Sequence, residues 1–131
     1  MKRNLAIASD HAGYEMKGFV IKHLKEKGYE VKDFGTDSAE AVNYPVYGHK
    51  LAEALESGRY DLGISLCGSG NGINMTTNKH AGIRGALCWN KEISMLARLH
   101  NDSNICSLPA RFIDLETAME IVEIFLETEY E

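Results

Sequence analysis

Short apolar runs alternate along this chain with segments in which apolar residues recur every three or four positions. The short runs have the length and composition of buried strands, and the longer segments have the period of amphipathic helices. The predicted strands are 4–9, 29–34, 61–66, 83–88 and 104–108. The predicted helix faces are Met16, Phe19, Val20 and Leu24; Tyr47, Leu51, Ala54 and Leu55; and Leu115, Ala118, Met119, Val122, Phe125 and Leu126, the last with Asp114 as N-cap.

This strict alternation of strand and helix predicts a parallel sheet with helices on both faces. A length of 131 residues suits one domain with a substantial core. We therefore expect an α/β fold over residues 1–131, a single-domain three-layer αβα sandwich of Rossmann or flavodoxin-like type with a five-stranded parallel sheet.

Composition narrows the classes of partner. The net charge is −5 and there is no basic block, so nucleic acid is not an expected partner. No run approaches the ~18 apolar residues of a membrane span, and no secretory signal is evident, so we expect a cytoplasmic protein with no membrane partner. Three widely spaced cysteines favour reduced thiols, and the histidine spacing gives no support for a metal site.

Candidate binding residues follow the predicted strands. Asp10 and His11 follow the first strand, residues 67–72 the third and Arg111 the fifth, while Tyr44 opens the second helix. Because ligands of open α/β sheets bind beyond the carboxyl ends of the strands, we expect these groups to converge on one edge. The alternative interpretations are that Asp10 caps a helix, that Arg111 is a surface charge and that Tyr44 only forms the start of the second helix.

The loop CGSGNG, beginning at Cys67, lacks the arginine of a phosphatase loop and the Gly-Lys-Ser/Thr of a nucleotide P-loop. It fits a strand-to-helix turn whose glycines let backbone N–H groups point inward at an anion. Such amides also stabilise a thiolate, so Cys67 could act as a base on a carbon beside a carbonyl. The amides and the Ser69 hydroxyl would then hold the enediolate. The alternative reading makes Cys67 a small buried hydrophobic residue.

His100 continues the stripe of Ile93, Leu96 and Ala97, so we expect it to face inward at a helix C-terminus. A helix that starts at the catalytic edge and runs back for about 11 residues carries His100 ~16 Å toward the opposite edge. Within one chain it should not reach Cys67. Either His100 is structural, or a second subunit of a two-fold dimer delivers it, which is the hypothesis we favour.

The remaining histidines and cysteines are given structural roles. His23, His49 and His80 are interpreted as solvated or structural, because none shows a metal-ligand spacing. Cys88 and Cys106 fall within strand patterns and are predicted to lie in the core.

Six segments, in this order and spacing, resemble the ribose-5-phosphate isomerase B family, which also includes galactose-6-phosphate isomerase subunits. The segments are ASDHAGYEMK, DFGTDS, NYP, CGSGNGINMTTNKHAGIRGALC, RLHNDSNI and LPARFI. The resemblance spans nearly the whole chain. It implies an aldose–ketose isomerase that interconverts ribose 5-phosphate and ribulose 5-phosphate with no metal and no cofactor.

The resemblance also implies roles for single residues. Cys67 matches the base that moves a proton between C1 and C2, and Ser69 stands where the family usually has threonine. His100 matches the acid that assists ring opening, and Asn101 its substrate-binding neighbour. The family site is shared between subunits, which implies a homodimer or a dimer of dimers. The matching anion-hole and substrate positions are Gly68, Gly70, Asn71, Gly72, Asp10, His11, Tyr44 and Arg111.

Three departures from the family pattern stand out. Asn43 replaces a common aspartate, and Pro109 replaces a usual glycine. The family carries phosphate-binding arginines in a C-terminal tail, whereas this sequence stops at Glu131. Either the sequence is shortened, in which case we expect weak substrate binding with the base intact, or phosphate binding relies on His11, Arg111 and the loop amides. Two alternative functions stay open: isomerisation of a six-carbon sugar phosphate such as allose or galactose 6-phosphate, and a non-catalytic sugar-phosphate binding module.

Overall fold

The computed structural model describes residues 3–41 and 44–131, which form five strands and five α-helices. A single 3₁₀ turn, His11–Gly13, precedes the first helix. Each predicted strand is present, with ends within two residues of the prediction. The strands are β1 Asn4–Ser9, β2 Glu30–Asp33, β3 Leu62–Cys67, β4 Gly85–Leu87 and β5 Ile105–Pro109. The helices are α1 Tyr14–Glu26, α2 Tyr44–Glu56, α3 Asn71–Thr77, α4 Lys91–Leu99 and α5 Leu115–Glu127.

The strands form one parallel sheet in the order β2-β1-β3-β5-β4, so the predicted fold class is confirmed. A flavodoxin-like sheet has the order 2-1-3-4-5, and here the last two strands are exchanged. The chain passes from β1 to β2 in one direction and to β3 in the other. A crevice therefore opens between the carboxyl ends of β1 and β3, where ligands of such sheets bind.

The helices cover the two faces of the sheet unequally. On one face, α1, α4 and α5 enclose a large apolar core that includes Leu5, Ile64, Leu108 and Phe125. On the other face, α2 packs a smaller cluster and α3 lies beside α2. The members of the smaller cluster are Ala6, Ala8, Leu51, Ala52, Leu55, Ile83 and Ile105. The alternation of side chains along each strand assigns successive residues to these two faces.

Most residues of the three predicted helix faces are buried. Leu115 is exposed although the pattern predicts burial, and Lys17 is buried although the pattern does not predict it. Leu115 is 42% exposed, because it occupies the first turn of α5 beyond the edge of the core. Lys17 is 1% exposed although its side chain is charged. Its Nζ donates to Asp33 Oδ1 at 2.8 Å and to the Thr36 carbonyl at 2.5 Å. These two acceptors explain why the ammonium group is stable away from water.

Within the described residues, no helix combines the length and apolar character needed to span a bilayer.

Candidate active site

Backbone hydrogen bonds join three loops at the carboxyl edge of the sheet. The Asp10 amide donates to the Leu66 carbonyl at 3.2 Å, and the Ala110 amide donates to the Cys67 carbonyl at 2.9 Å. The Arg111 amide donates to the Gly68 carbonyl at 3.0 Å. The ends of β1, β3 and β5 therefore place Asp10, Cys67 and Arg111 on one edge, as the sequence predicts.

Cys67 is the last residue of β3 and is 6% exposed. It lies opposite Pro109 in the register of β3 and β5. Leu62, Ile64 and Leu66 belong to the large core, so alternation turns Cys67 toward the α2 and α3 layer. The thiol thus lies at the carboxyl edge of the sheet, directly before the glycine loop.

The glycine loop, residues 68–72, connects Cys67 to α3. Gly70 has φ +78°, a conformation that favours glycine. A Cβ added there would also lie 2.5 Å from Leu87 Cδ1, so only glycine fits this turn. The Asn71 amide donates to Ser69 Oγ at 3.2 Å, and both side chains are exposed. Because Ser69 Oγ accepts in this contact, its own hydrogen can be donated to a bound oxyanion.

Arg111 supplies a positive charge beside the loop. A Cβ added at Gly68 would lie 3.2 Å from Arg111 Cδ and 3.3 Å from Arg111 Nη1. The guanidinium side chain therefore packs along the residue that follows Cys67. Arg111 is otherwise exposed, so its charge is accessible from solvent at this edge of the sheet.

Asp10 and His11 form the turn after β1. Asp10 Oδ1 accepts hydrogen bonds from the amides of Ala12 at 2.9 Å and Gly13 at 3.2 Å. Asp10 is 8% exposed, so the carboxylate caps the turn and stays at the edge of the crevice. A Cβ added at Gly13 would lie 2.6 Å from Leu66 Cβ, so the missing side chain lets the turn pack against β3. His11, half-buried, opens the turn.

The inward-facing position predicted for His100 is wrong. His100 is exposed, and Leu96, in the same predicted stripe, is 37% exposed. The buried face of α4 contains Ser94, Ala97 and Arg98. Ser94 Oγ donates to the Ile121 carbonyl at 2.8 Å, and Arg98 Nη1 donates to the Ser103 carbonyl at 2.5 Å. Ser94 and Arg98 can therefore face inward because their polar groups are hydrogen-bonded, although the apolar periodicity predicts Leu96 and His100 at the inward positions.

His100 and Asn101 lie at the amino edge of the sheet, opposite Cys67. They precede β5, which runs from Ile105 at that edge to Pro109 beside Cys67. Four strand steps of about 3.3 Å separate the two edges by roughly 13 Å. Asn101 lines a cleft of about 360 Å³, and its carbonyl accepts from Arg84 Nε at 2.8 Å. Within one chain, these two residues are not beside Cys67.

Tyr44, the remaining predicted contact, is the first residue of α2. Its side chain lies outside the described part of the chain, as does Asn43.

A hydrogen-bonded chain of Glu56, His80 and His49 was not predicted from the sequence. Glu56 Oε1 is 2.9 Å from His80 Nδ1, and His80 Nε2 is 2.8 Å from His49 Nδ1. The hydrogen bonds from His80 and the Gly82 amide lower the pKa of Glu56. This chain joins α2 to the loop after α3, and no local sequence signal connects residues so far apart.

The other two cysteines are buried free thiols, as predicted. Burial raises the pKa of Cys106 well above the usual thiol value, and the hydrogen bond with Cys106 lowers the pKa of Cys88. Among the described residues, no group of three or more His, Cys, Asp and Glu side chains is arranged to hold a metal ion.

Similarity to known proteins covers almost the whole chain. Residues 5–131 match the family model described as Ribose/Galactose Isomerase. The chain is 40% identical over 129 residues to ribose-5-phosphate isomerase B of Escherichia coli (strain K12), covering 98% of this chain and 87% of that protein. The structure of the Clostridium thermocellum ribose-5-phosphate isomerase B superposes with a TM-score of 0.96 at 46% identity, covering 97% of this chain and 86% of that one.

A third relative has been solved with a bound sugar phosphate. It is the Mycoplasma genitalium ribose-5-phosphate isomerase B with ribulose-5-phosphate. Its TM-score to this chain is 0.93 at 35% identity, covering 98% of this chain and 86% of that one.

Proposed function

Because the chain belongs to the ribose/galactose isomerase family, we propose that it is a cytoplasmic aldose–ketose isomerase that interconverts ribose 5-phosphate and ribulose 5-phosphate. The observation that carries this proposal is the position of Cys67. It ends β3 at the crevice beside β1, directly before the glycine loop and with the Arg111 side chain against Gly68. A base, an array of amides and a cation are the groups that enediolate chemistry on an anionic sugar requires.

Cys67 acts as the base in this mechanism. Its thiolate removes the proton from C2 of the open-chain aldose and leaves an enediolate over C1, C2 and their oxygens. The resulting thiol returns the proton to C1, while the hydroxyl proton of O2 is transferred to O1, which gives the ketose. No net proton, electron or group is gained or lost, so the reaction needs no redox partner.

The glycine loop stabilises the enediolate. Gly68, Gly70 and Gly72 supply backbone N–H groups. The Asn71 amide holds Ser69 Oγ, and Ser69 supplies the hydroxyl hydrogen that this contact leaves available. One donor of this kind is typically worth about 3–4 kcal/mol of barrier height.

The residues around the crevice bind the remainder of the sugar phosphate. Arg111, exposed beside Gly68, pairs with substrate oxygens or the phosphate, and Asp10 and His11 bind hydroxyl groups from the β1 side. Tyr44, at the start of α2, is assigned the adjacent wall.

A homodimer, or a dimer of dimers, completes the site with His100 and Asn101 of a second chain. Their exposure and their position at the amino edge support this assignment, because one chain keeps them roughly 13 Å from Cys67 along the strands. Trp89, before α4, is 52% exposed, and Leu96 is 37% exposed. Exposed apolar side chains on this segment favour an interface. His100 then acts as the acid that opens the furanose ring.

The base is tested with Cys67→Ala and a matched control, Cys106→Ala, which removes a buried thiol elsewhere. Wild type and the control should convert ribose 5-phosphate and, in D₂O, exchange the C2 proton for deuterium. Cys67→Ala should lose both activities while it still binds the sugar phosphate. Wild-type binding without exchange would indicate a binding module. Faster turnover of allose or galactose 6-phosphate would contradict the five-carbon assignment alone.

The shared site is tested by mixing two impaired variants, Cys67→Ala and His100→Ala. If chains exchange, half of the dimers are mixed, and each mixed dimer has one intact site. Activity should recover to about one quarter of the wild-type value. Mass spectrometry verifies that the subunits have exchanged. If the mixture is then no more active than the average of the two variants, each site lies within one chain.

A further inference from the structure

Two buried serines form a hydrogen-bonded rung next to Cys67. Ser65 on β3 and Ser107 on β5 are opposite each other in the register, and both are fully buried. Their Oγ atoms are 2.6 Å apart, and Ser107 Oγ donates to Asn74 Oδ1 on α3 at 3.0 Å. Because the Ser107 hydrogen is committed to Asn74, Ser65 is the donor between the serines. The hydrogen bonds therefore run in one direction, from Ser65 to Asn74.

This chain of hydrogen bonds connects the strand of Cys67 to the helix that follows the glycine loop. The Ser65–Ser107 rung is followed on the same face of the sheet by the pair Cys67 and Pro109. At the other end, the backbone amide of Asn74 donates to the Gly70 carbonyl at 3.2 Å. These hydrogen bonds thus extend from the strand pair next to the Cys67 thiol to the start of α3.

The site around Asn74 is shaped to hold this side chain. A Cβ added at Gly85 of β4 would lie 2.6 Å from Asn74 Oδ1, so the glycine makes room for the amide. Asn78, which caps α3, donates to the Gly85 carbonyl at 3.0 Å and accepts from its amide at 2.8 Å. Because α3 has only seven residues, with Ile73, Thr76 and Thr77 buried, these polar contacts have a large share in fixing its position.

We propose that Ser65, Ser107 and Asn74 are positioning residues for the isomerisation. They set the place of the glycine loop relative to the Cys67 thiol and do not touch the sugar. The inference rests on the proposed function of that loop. A small displacement of donors from the developing oxyanion slows chemistry more than it weakens binding, because those donors act on charge that forms in the transition state.

The test compares Asn74→Ala, Ser107→Ala and the double variant with Ile121→Val, a core substitution in α5 on the opposite face of the sheet. The two single variants should each lower kcat about 10- to 100-fold and change KM less than about 2-fold. The double variant should be no slower than the slower single variant, since the residues act as a unit. Ile121→Val should lower Tm without lowering kcat.

Gly85→Ala tests the same network from the opposite side. The new methyl group displaces the Asn74 amide, so kcat should fall as in Asn74→Ala. In an Asn74→Ala background the 2.6 Å clash is absent and only contacts of 3.3 Å with Asn78 Nδ2 and Thr77 Oγ1 remain, so adding Gly85→Ala should change kcat far less than it does in the wild type.

Full kcat in Gly85→Ala would overturn the proposal, as would an Asn74→Ala loss of kcat no larger than that of a control with an equal fall in Tm. Multiplication of the single effects in the double variant would also contradict it. Absence of isomerase activity in the wild type would instead count against the proposed function.

Discussion

The two faces of the sheet are built on different principles. The face covered by α1, α4 and α5 has a large apolar core in which Phe125 is fully buried. Its helices α1 and α4 also bury the hydrogen-bonded side chains of Lys17, Ser94 and Arg98. The face covered by α2 and α3 has a smaller apolar cluster. It also contains the Ser65–Ser107–Asn74 chain and the Glu56–His80–His49 chain. Cys67 faces this second side.

The difference suggests a division of roles between stability and geometry. Apolar burial is non-directional and stabilises whatever arrangement excludes water best. Hydrogen bonds between buried groups have fixed lengths and directions, so they specify one arrangement of α3 over the strand ends. We therefore expect substitutions on the apolar face to change unfolding free energy and those on the polar face to change turnover.

The largest effect on stability is expected for Phe125→Ala on the apolar face. Removing this fully buried ring should reduce the free energy of unfolding by about 3–5 kcal/mol, because both transfer energy and packing are lost. Urea denaturation monitored by circular dichroism measures the change. The kcat of the protein that remains folded should equal the wild-type value.

Phe112→Ala is the matched control, since Phe112 is 76% exposed. Its unfolding free energy should stay within about 0.5 kcal/mol of wild type. A large fall in kcat for folded Phe125→Ala would remove the distinction between the two faces.

Lys17→Met is expected to have the next largest effect. The substitution keeps the volume but removes the ammonium group that binds Asp33 and the Thr36 carbonyl. Asp33 can return to water, because its side chain is 39% exposed. The loss of stability should therefore be about 1–3 kcal/mol, the cost of leaving hydrogen-bonded groups unpaired. Thermal unfolding checks it, with exposed Lys22→Met as an unchanged control. Stability equal to wild type would show that the pair is not stabilising.

The sequence predicts the fold well because apolar periodicity reports burial directly. Alternating strand and helix patterns located all five strands, and parallel pairing follows from the crossover helices. Periodicity fails where a buried position is polar. Lys17, Ser94 and Arg98 are buried because carbonyl or carboxylate partners satisfy them, and those partners lie outside the helix that carries each side chain.

Some features of the candidate site could likewise be predicted from the sequence, and others could not. Asp10, Cys67 and Arg111 could be placed on one edge, because the topology of a parallel sheet fixes where strand ends lie. Asn74 and Ser107 could not be related, because their contact depends on the register between β3 and β5 and on the space that Gly85 leaves. Neither quantity is visible in local sequence patterns.

Gly48→Ala sharpens the comparison on the polar face. A Cβ at Gly48 of α2 would lie 2.9 Å from Thr76 Cγ2 and 3.2 Å from Thr76 Cβ, so Thr76 must shift, and we expect α3 to shift with it. We expect a loss of about 1–3 kcal/mol from overpacking together with a lower kcat. Steady-state kinetics and urea denaturation measure both.

Gly18→Ala is the matched helix control, because a Cβ at Gly18 has nothing within 4 Å. It should stabilise the protein by about 0.4–1 kcal/mol and leave kcat unchanged. Equal kcat in Gly48→Ala and Gly18→Ala would show that the position of α3 does not govern turnover.

The smallest effect is expected from Glu56, and it depends on pH. The hydrogen bond with His80 holds the pKa of Glu56 below its ordinary value of 4.5 in the folded protein. The contribution to stability is therefore present above pH 4.5 and is lost as pH falls through the lower folded value. Glu56→Gln should be less stable than wild type at neutral pH, and the two urea midpoints should converge below pH 4.5. Glu53→Gln removes a charge from the same helix and controls for net charge. A gap between Glu56→Gln and wild type that stays constant from neutral to acidic pH would show that ionisation of Glu56 does not tie the loop after α3 to α2.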